Sequence, residues 1–197
     1  LPEWDAFARS TRLETVEAKD RLPAGPHDTY VVVRGPVKLI QTNDEGTERV
    51  EEFFEAIAMV APGLRPQWAS NSAAPLSITR WRARNWSVPL LGALAVERTT
   101  VLRLDYRVVQ QLAAKHPAWG EVHSAFLWTY VDGLFSITNS VREGSVEDRY
   151  RNLLRQRPSL MRRVSQRDIA SYLSITESAL SRIAKRVRDA ELDPDPV

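Results

Sequence analysis

The residues best placed to do chemistry lie near the C-terminal end, in the run 165–188. Read as two short helices, Gln166–Leu173 and Glu177–Arg188, this run leaves Ser178, Ser181, Arg182 and Lys185 three or four residues apart on one face of the second helix. That chemistry is recognition rather than catalysis. An arginine can make a bidentate contact to guanine, and serine hydroxyls can reach bases or phosphates. Lys185 and Arg188 can neutralise phosphates. With the helix starts Ser165, Gln166, Arg167, Thr176 and Glu177, these residues make up the expected DNA-contacting set.

Two helices must hold that face outward, and their ends are written locally. Ser165 and Thr176 can each accept an orphan backbone N–H. Asp168, three residues after Ser165, can complete a capping box, and Glu177 puts negative charge in the first turn of its helix. Ile169, Ala170, Leu173, Ile175, Leu180, Ile183 and Val187 fall where two helices joined by a short turn bury them against each other, with small Ala170 at the crossing. The plain alternative is an amphipathic helical hairpin with a solvated basic face. A helix-turn-helix usually has glycine in the turn where this chain has Ser174, and a left-handed serine costs roughly 1–2 kcal/mol.

The runs Ser145-Val-Glu-Asp-Arg149-Tyr150-Arg-Asn-Leu-Leu154, Arg157-Pro158, Ile169-Ala170-Ser171-Tyr172-Leu173 and Leu180-Ser181-Arg182-Ile183 resemble the C-terminal half of the Crp/Fnr family of bacterial transcription regulators. The match is strong over about the last fifty residues and holds only in outline elsewhere. It implies an α+β fold: an N-terminal antiparallel β jelly-roll barrel of the cyclic-nucleotide-binding type, a long dimerisation helix and a C-terminal winged-helix-like helix-turn-helix domain. On that plan residues 1–116 form the sensory barrel, 117–144 the dimerisation helix and hinge, and 145–197 the DNA-binding domain. The implied partners are duplex DNA carrying a palindromic operator, a second copy of the chain and RNA polymerase. The alternative is an effector-binding or protein-interaction module of the same fold without specific DNA binding.

Composition narrows the classes. At 197 residues the chain can bury a substantial core. The net charge of +2 is uninformative, but residues 145–188 hold 11 lysines and arginines against 4 acidic residues, a local surplus of 7. The chain has no cysteine, which excludes disulfides and thiolate metal sites, and with them the iron–sulfur-sensing branch of the family. His116 and His123 are seven apart and His27 lies in a turn, so the three histidines select no metal site. Neither Gly-x-Ser-x-Gly, a phosphate loop nor a useful acid/base pair occurs, so no enzyme is expected. With neither a membrane-length apolar run nor a secretory signal, a cytoplasmic protein is expected, and Leu1 implies a missing N-terminal piece.

The remaining elements follow from pattern. Residues 2–10 read as a short amphipathic helix with Trp4, Phe7 and Ala8 on one side, able to cap a barrel end. Strands are expected at Thr15–Ala18, Tyr30–Val33, Val37–Thr42 and Glu48–Phe54, with Phe53 or Phe54 inward, then near Val88–Val96 and Thr99–Leu104. Asp105 caps a helix to about Lys115, ended by His116-Pro117. From Trp119 to Arg142 a long helix carries Val122, Phe126, Tyr130, Gly133, Ile137 and Val141 as its dimerisation seam, with Leu127, Leu134 and Phe135 outside it. Gly144 ends the pattern, and Ser145 with Asp148 starts a new capped helix.

Family members that bind cyclic AMP carry Gly-Glu and then, about ten residues later, Arg-Ser/Thr-Ala. Between Phe53 and Arg98 the only glycines, Gly63 and Gly92, precede Leu64 and Ala93, and the arginine triplet does not occur. Cyclic AMP in its usual pose is therefore not expected, no cofactor is selected, and the existence of another small-molecule effector stays open. In its place stand Arg80, Trp81, Arg82, Arg84 and Trp86, whose alternation puts three arginines on one face of an extended segment. A cationic pocket for another anion, a solvated edge with packed tryptophans, and a protein-contact patch all fit it.

Overall fold

The structure is a computed structural model, and it describes residues 1–43, 45–62, 90–140 and 144–192. The N-terminal half is two facing antiparallel sheets. A short helix α1 (Trp4–Ser10) leads into β1 (Thr11–Val16), β2 (Arg21–Leu22), β3 (Asp28–Arg34), β4 (Val37–Thr42), β5 (Glu48–Phe54), β6 (Met59–Val60), β7 (Leu90–Ala95) and β8 (Thr99–Asp105). One sheet has the order β1-β8-β3-β6 and the other β2-β7-β4-β5. Leu22, Tyr30, Val32, Val37, Leu39, Val60, Ala93 and Val101 come from both sheets and form one buried cluster between them. The inward residues lie two apart, Tyr30 and Val32 in β3 and Val37 and Leu39 in β4, as the period of a strand requires. The turn from β3 to β4 requires Gly35: its φ is +93°, and a Cβ there would lie 2.9 Å from the Thr99 Cα.

Helix α2 (Tyr106–Lys115) starts where Asp105 accepts a hydrogen bond from the Arg107 backbone N–H, and it stops at His116. Helix α3 (Pro117–Ser140) then runs back along the sandwich. Its first turn is anchored by Trp119, fully buried, whose indole N–H donates to the Pro2 carbonyl at 2.6 Å and whose ring lies 5.0 Å from Phe7. Thus α1 seals the base of α3 as well as the sandwich end, where Phe7 packs on Leu104, Tyr106 and Val109.

Past Gly144, at φ +73°, the chain is helical: α4 (Val146–Gln156), α5 (Pro158–Met161), α6 (Gln166–Tyr172) and α7 (Glu177–Leu192). A complete capping box opens α4, with Asp148 N–H donating to Ser145 Oγ and Ser145 N–H to the Asp148 carboxylate. The expected wing is not present among the described residues of this unit, all of whose regular elements are helices. Helix α7 also runs one turn past the expected Arg188, because nothing before Pro194 breaks it.

The two halves share a core. Ile40, Val50 and Phe53, on the outer face of β4 and β5, are buried with Leu153, Leu160, Val164, Ile169, Ala170, Leu173 and Leu180 of the helical unit. Phe54 points into the sandwich, as one of the Phe53/Phe54 pair must, while outward Phe53 is covered by the helices and its ring lies 5.4 Å from that of Tyr172. Gly144 is therefore a covalent corner, not the edge of packing.

Three strands differ from expectation. The first lies at Thr11–Val16, not Thr15–Ala18, since this edge strand turns apolar Leu13 outward, 68% exposed, and sets Glu14 opposite buried Val101, which hides the usual alternation. The two-residue strands β2 and β6 exist only through pairing with β7 and β3.

Candidate nucleic-acid interface

The scaffold of the interface is the pair α6 and α7. Ser165 Oγ accepts from the Asp168 N–H at 3.1 Å, starting α6. The expected reciprocal bond is replaced: the Asp168 carboxylate takes Lys38 Nζ of β4 at 2.7 Å, because that cation lies under the helix start. At the other end, Ser174 occupies the left-handed position at φ +57°. Its N–H donates to the Ser171 carbonyl at 3.0 Å and the Ile175 N–H to the Ala170 carbonyl at 2.9 Å, the pair of bonds that closes a helix whose following residue is usually glycine. Thr176 Oγ1 then accepts from the Ala179 N–H at 3.2 Å and lies 3.1 Å from Ser178 Oγ, starting α7.

Leu180, Ile183 and Val187 face inward, and Ile169, Ala170 and Leu173 meet them from α6, all buried. With that face spent, all ten residues Ser165, Gln166, Arg167, Thr176, Glu177, Ser178, Ser181, Arg182, Lys185 and Arg188 are exposed. The cations divide into two groups. Arg186 is tied to Glu147 of α4 at 3.0 Å, and Arg151 shares that carboxylate at 2.9 Å. These bonds, Arg151 first, hold the Glu147 carboxyl below its usual range. Arg167, Arg182, Lys185 and Arg188 carry no ion pair among the described residues. On α6 and α7 the positive charge without an ion pair is thus exposed, an arrangement suited to neutralising a phosphate backbone.

The other sequence-derived sites are placed as follows. Val122 and Phe126 are half-buried, and the Phe126 ring lies 6.3 Å from Tyr106 of the same chain, so this side of α3 covers its own sandwich. Tyr130, Gly133 and Ile137 follow on the same helix, and Val141 is outside the described residues. Among the described side chains of α3, the large apolar residues exposed are Leu127, 41% exposed, and Trp128, 73% exposed. The Arg80, Trp81, Arg82, Arg84 and Trp86 patch also lies outside the described residues. His116 pairs with Glu3 at 2.8 Å and His123 stacks on Tyr106 at 5.6 Å. Among the described residues no group of three His, Cys, Asp or Glu could hold a metal ion. Nor is any of their helices long and apolar enough to cross a membrane.

Sequence reasoning missed the residues that dock this unit on the sandwich. Arg157, Arg163, Ser171 and Lys38 bond across sequence separations of 66 to 130 residues, and no local pattern marks such pairs.

No family model and no curated protein matches the chain. Solved structures do. FixK2 from Bradyrhizobium japonicum superimposes with a TM-score of 0.64 at 15% identity, covering 92% of this chain and 86% of its own. A transcriptional regulator of the Crp/Fnr family from Eubacterium rectale gives 0.67 at 11% identity, covering 98% and 88%. The c-di-GMP-responsive global regulator CLP from Xanthomonas campestris gives 0.59 at 15% identity, covering 96% and 92%. The chain has the fold of Crp/Fnr-type regulators, α+β with antiparallel sheets.

Proposed function

We propose that this protein is a homodimeric, sequence-specific DNA-binding transcription regulator of the Crp/Fnr type, not dependent on cyclic AMP. The observation that carries the reading is the outer face of α7: an inner face fixed in a shared core leaves Ser178, Ser181, Arg182, Lys185 and Arg188 exposed, with the three cations unpaired among the described residues. Such a helix lies in the major groove with its first turns toward the base edges. Arg182 reads guanine, Ser178 and Ser181 reach bases or phosphates, and Lys185, Arg188 and Arg167 hold phosphates.

The two-sheet sandwich serves as the jelly-roll sensory or dimerising module, with residues 117–144 as the helix that joins two copies and 145–197 as the DNA-binding domain. Because Phe126 is spent on Tyr106, α3 meets its partner through the side that exposes Leu127 and Trp128. A two-fold dimer presents two copies of α7 to a palindrome, with half-sites roughly 34 Å apart. RNA polymerase is the downstream partner, and the site of action is the cytoplasm.

The test is Arg182→Ala against a panel of operator variants. The reading expects base choice to relax at one position per half-site, by about 1–3 kcal/mol. Uniform weakening on every sequence would make Arg182 a phosphate contact only, and no binding by the parent protein would leave an interaction module of the same fold.

A further inference from the structure

We infer that Arg157 is a positioning residue that locks the helix-turn-helix unit to β5, so that the β4–β5 hairpin sets the angle at which α7 is presented. The inference deepens the DNA-binding reading and rests on it for one of its two readouts.

The site is built from both halves of the chain. Arg157 sits at the corner between α4 and α5, where its backbone N–H closes α4 on the Leu153 carbonyl and Pro158 starts the next turn. Its side chain reaches back to the sheet with all three nitrogens. Nη1 donates to Glu52 Oε1 at 2.8 Å, Nη2 to the Phe53 carbonyl, and Nε to Glu55 Oε2 at 3.4 Å. Glu52, 6% exposed, also accepts from the Phe53 N–H at 2.8 Å. A buried carboxylate needs such a cation, and lifting the unit off β5 breaks all three of these bonds.

Further ties surround the first, among them Tyr172 O–H to Glu52 at 3.5 Å and Ser159 O–H to Glu55 at 3.2 Å. Ser171 Oγ accepts from the Val50 N–H at 2.9 Å, which satisfies an amide on the outer edge of β5 and closes that edge with α6. Lys38 binds Asp168 at 2.7 Å, and Arg163 binds Glu97 through Nε at 3.0 Å. A bulge prepares the strand. Leu39 pairs with Glu52 but Ile40 pairs with Val50, so Glu51 is an extra residue. The extra residue lets Val50 and Phe53, three apart, both join the outer core under α6.

The consequence concerns how the barrel speaks to the reading helix. With Gly144 as the covalent corner, a free unit would swing. With the Arg157, Ser171 and Lys38 ties and the apolar cluster holding the helical unit on β4 and β5, a displacement of the hairpin is carried into α6, and through the shared core into α7.

The chain has no cysteine, so Leu13→Cys on β1 and Ala190→Cys on α7, both exposed, take spin labels selectively. Label-to-label distances are then measured in the otherwise native chain, in Arg157→Gln and in Glu52→Gln. The second substitution removes the buried carboxylate and keeps the fold if the first does not. The expected result is a distance distribution broadened at least about twofold in either variant relative to the parent. An unchanged width in Glu52→Gln, or in a folded Arg157→Gln, overturns the inference. On selected DNA, the parent accepts one half-site spacing and the variants accept neighbouring spacings. A broadened distribution with the parent's spacing preference also overturns it, since the lock would then not set presentation. If the parent binds no DNA, the regulator reading fails, while the distances still decide whether Arg157 locks the unit.

Discussion

Replacing Arg188 and, separately, Arg186 by alanine distinguishes two neighbouring cations on α7 that the sequence alone treats alike. Arg188 is exposed and unpaired among the described residues, whereas Arg186 is turned toward α4 and held by Glu147 at 3.0 Å. Each phosphate contact contributes about −0.9 to the slope of log affinity against log salt, and a symmetric dimer makes every contact twice. Arg188→Ala should therefore make the slope shallower by roughly 2, and over a fourfold rise in salt the variant should lose about tenfold less affinity than the parent. Arg186→Ala should leave the slope within error, because its charge is already spent on a carboxylate that also holds Arg151. Fluorescence anisotropy of one labelled operator, titrated at several salt concentrations, measures all three proteins. Equal changes in slope for the two variants would refute the division of cations that the interface rests on.

Three other consequences concern stability. Phe53→Ala, at a side chain 2% exposed in the core shared by sheet and helices, should cost about 3–5 kcal/mol in urea denaturation, and a loss under about 1 kcal/mol would mean the two halves are not packed as described. Ser174→Gly relieves a left-handed serine and should raise stability by about 0.5–1 kcal/mol after the greater entropy of unfolded glycine, with a lowered melting temperature as the contrary result. Glu147 and Asp148 have carboxyl groups held below their ordinary values, chiefly by Arg151 and by Ser145. Their contribution is complete above the ordinary values, 4.5 and 3.8, and is lost as the pH falls through the lower folded values. Asp148→Asn should therefore flatten the acid side of a stability profile taken by denaturant midpoint, and an unchanged profile would count against the cap.

What could be read from the chain beforehand was whatever is encoded within a few residues. Ser145 with Asp148, Asp105, and Thr176 mark helix starts because a cap needs only its own first turn, and each does so in the structure. Strands β4 and β5 were legible at their full lengths because apolar residues bounded by turn chemistry suffice. The outward face of α7 was legible because its inward face is periodic. What failed depended on distant partners. Asp168 suits its own helix start by spacing, yet a lysine 130 residues away takes its carboxylate. Phe126 fits a seam by spacing, yet Tyr106 lies beside it, and nothing in the heptad-like pattern says which side of α3 faces its own sandwich. Glu52 looks like an ordinary strand carboxylate until Arg157, 105 residues on, is set against it.

The central claim is that two copies of α7 read DNA. Selection of bound duplexes from a random pool by the full chain tests it most directly. The account predicts enrichment of an inverted repeat whose half-sites are centred about 10 base pairs, or one helical turn, apart. Enrichment of no sequence, or binding of every sequence with equal affinity, would contradict it.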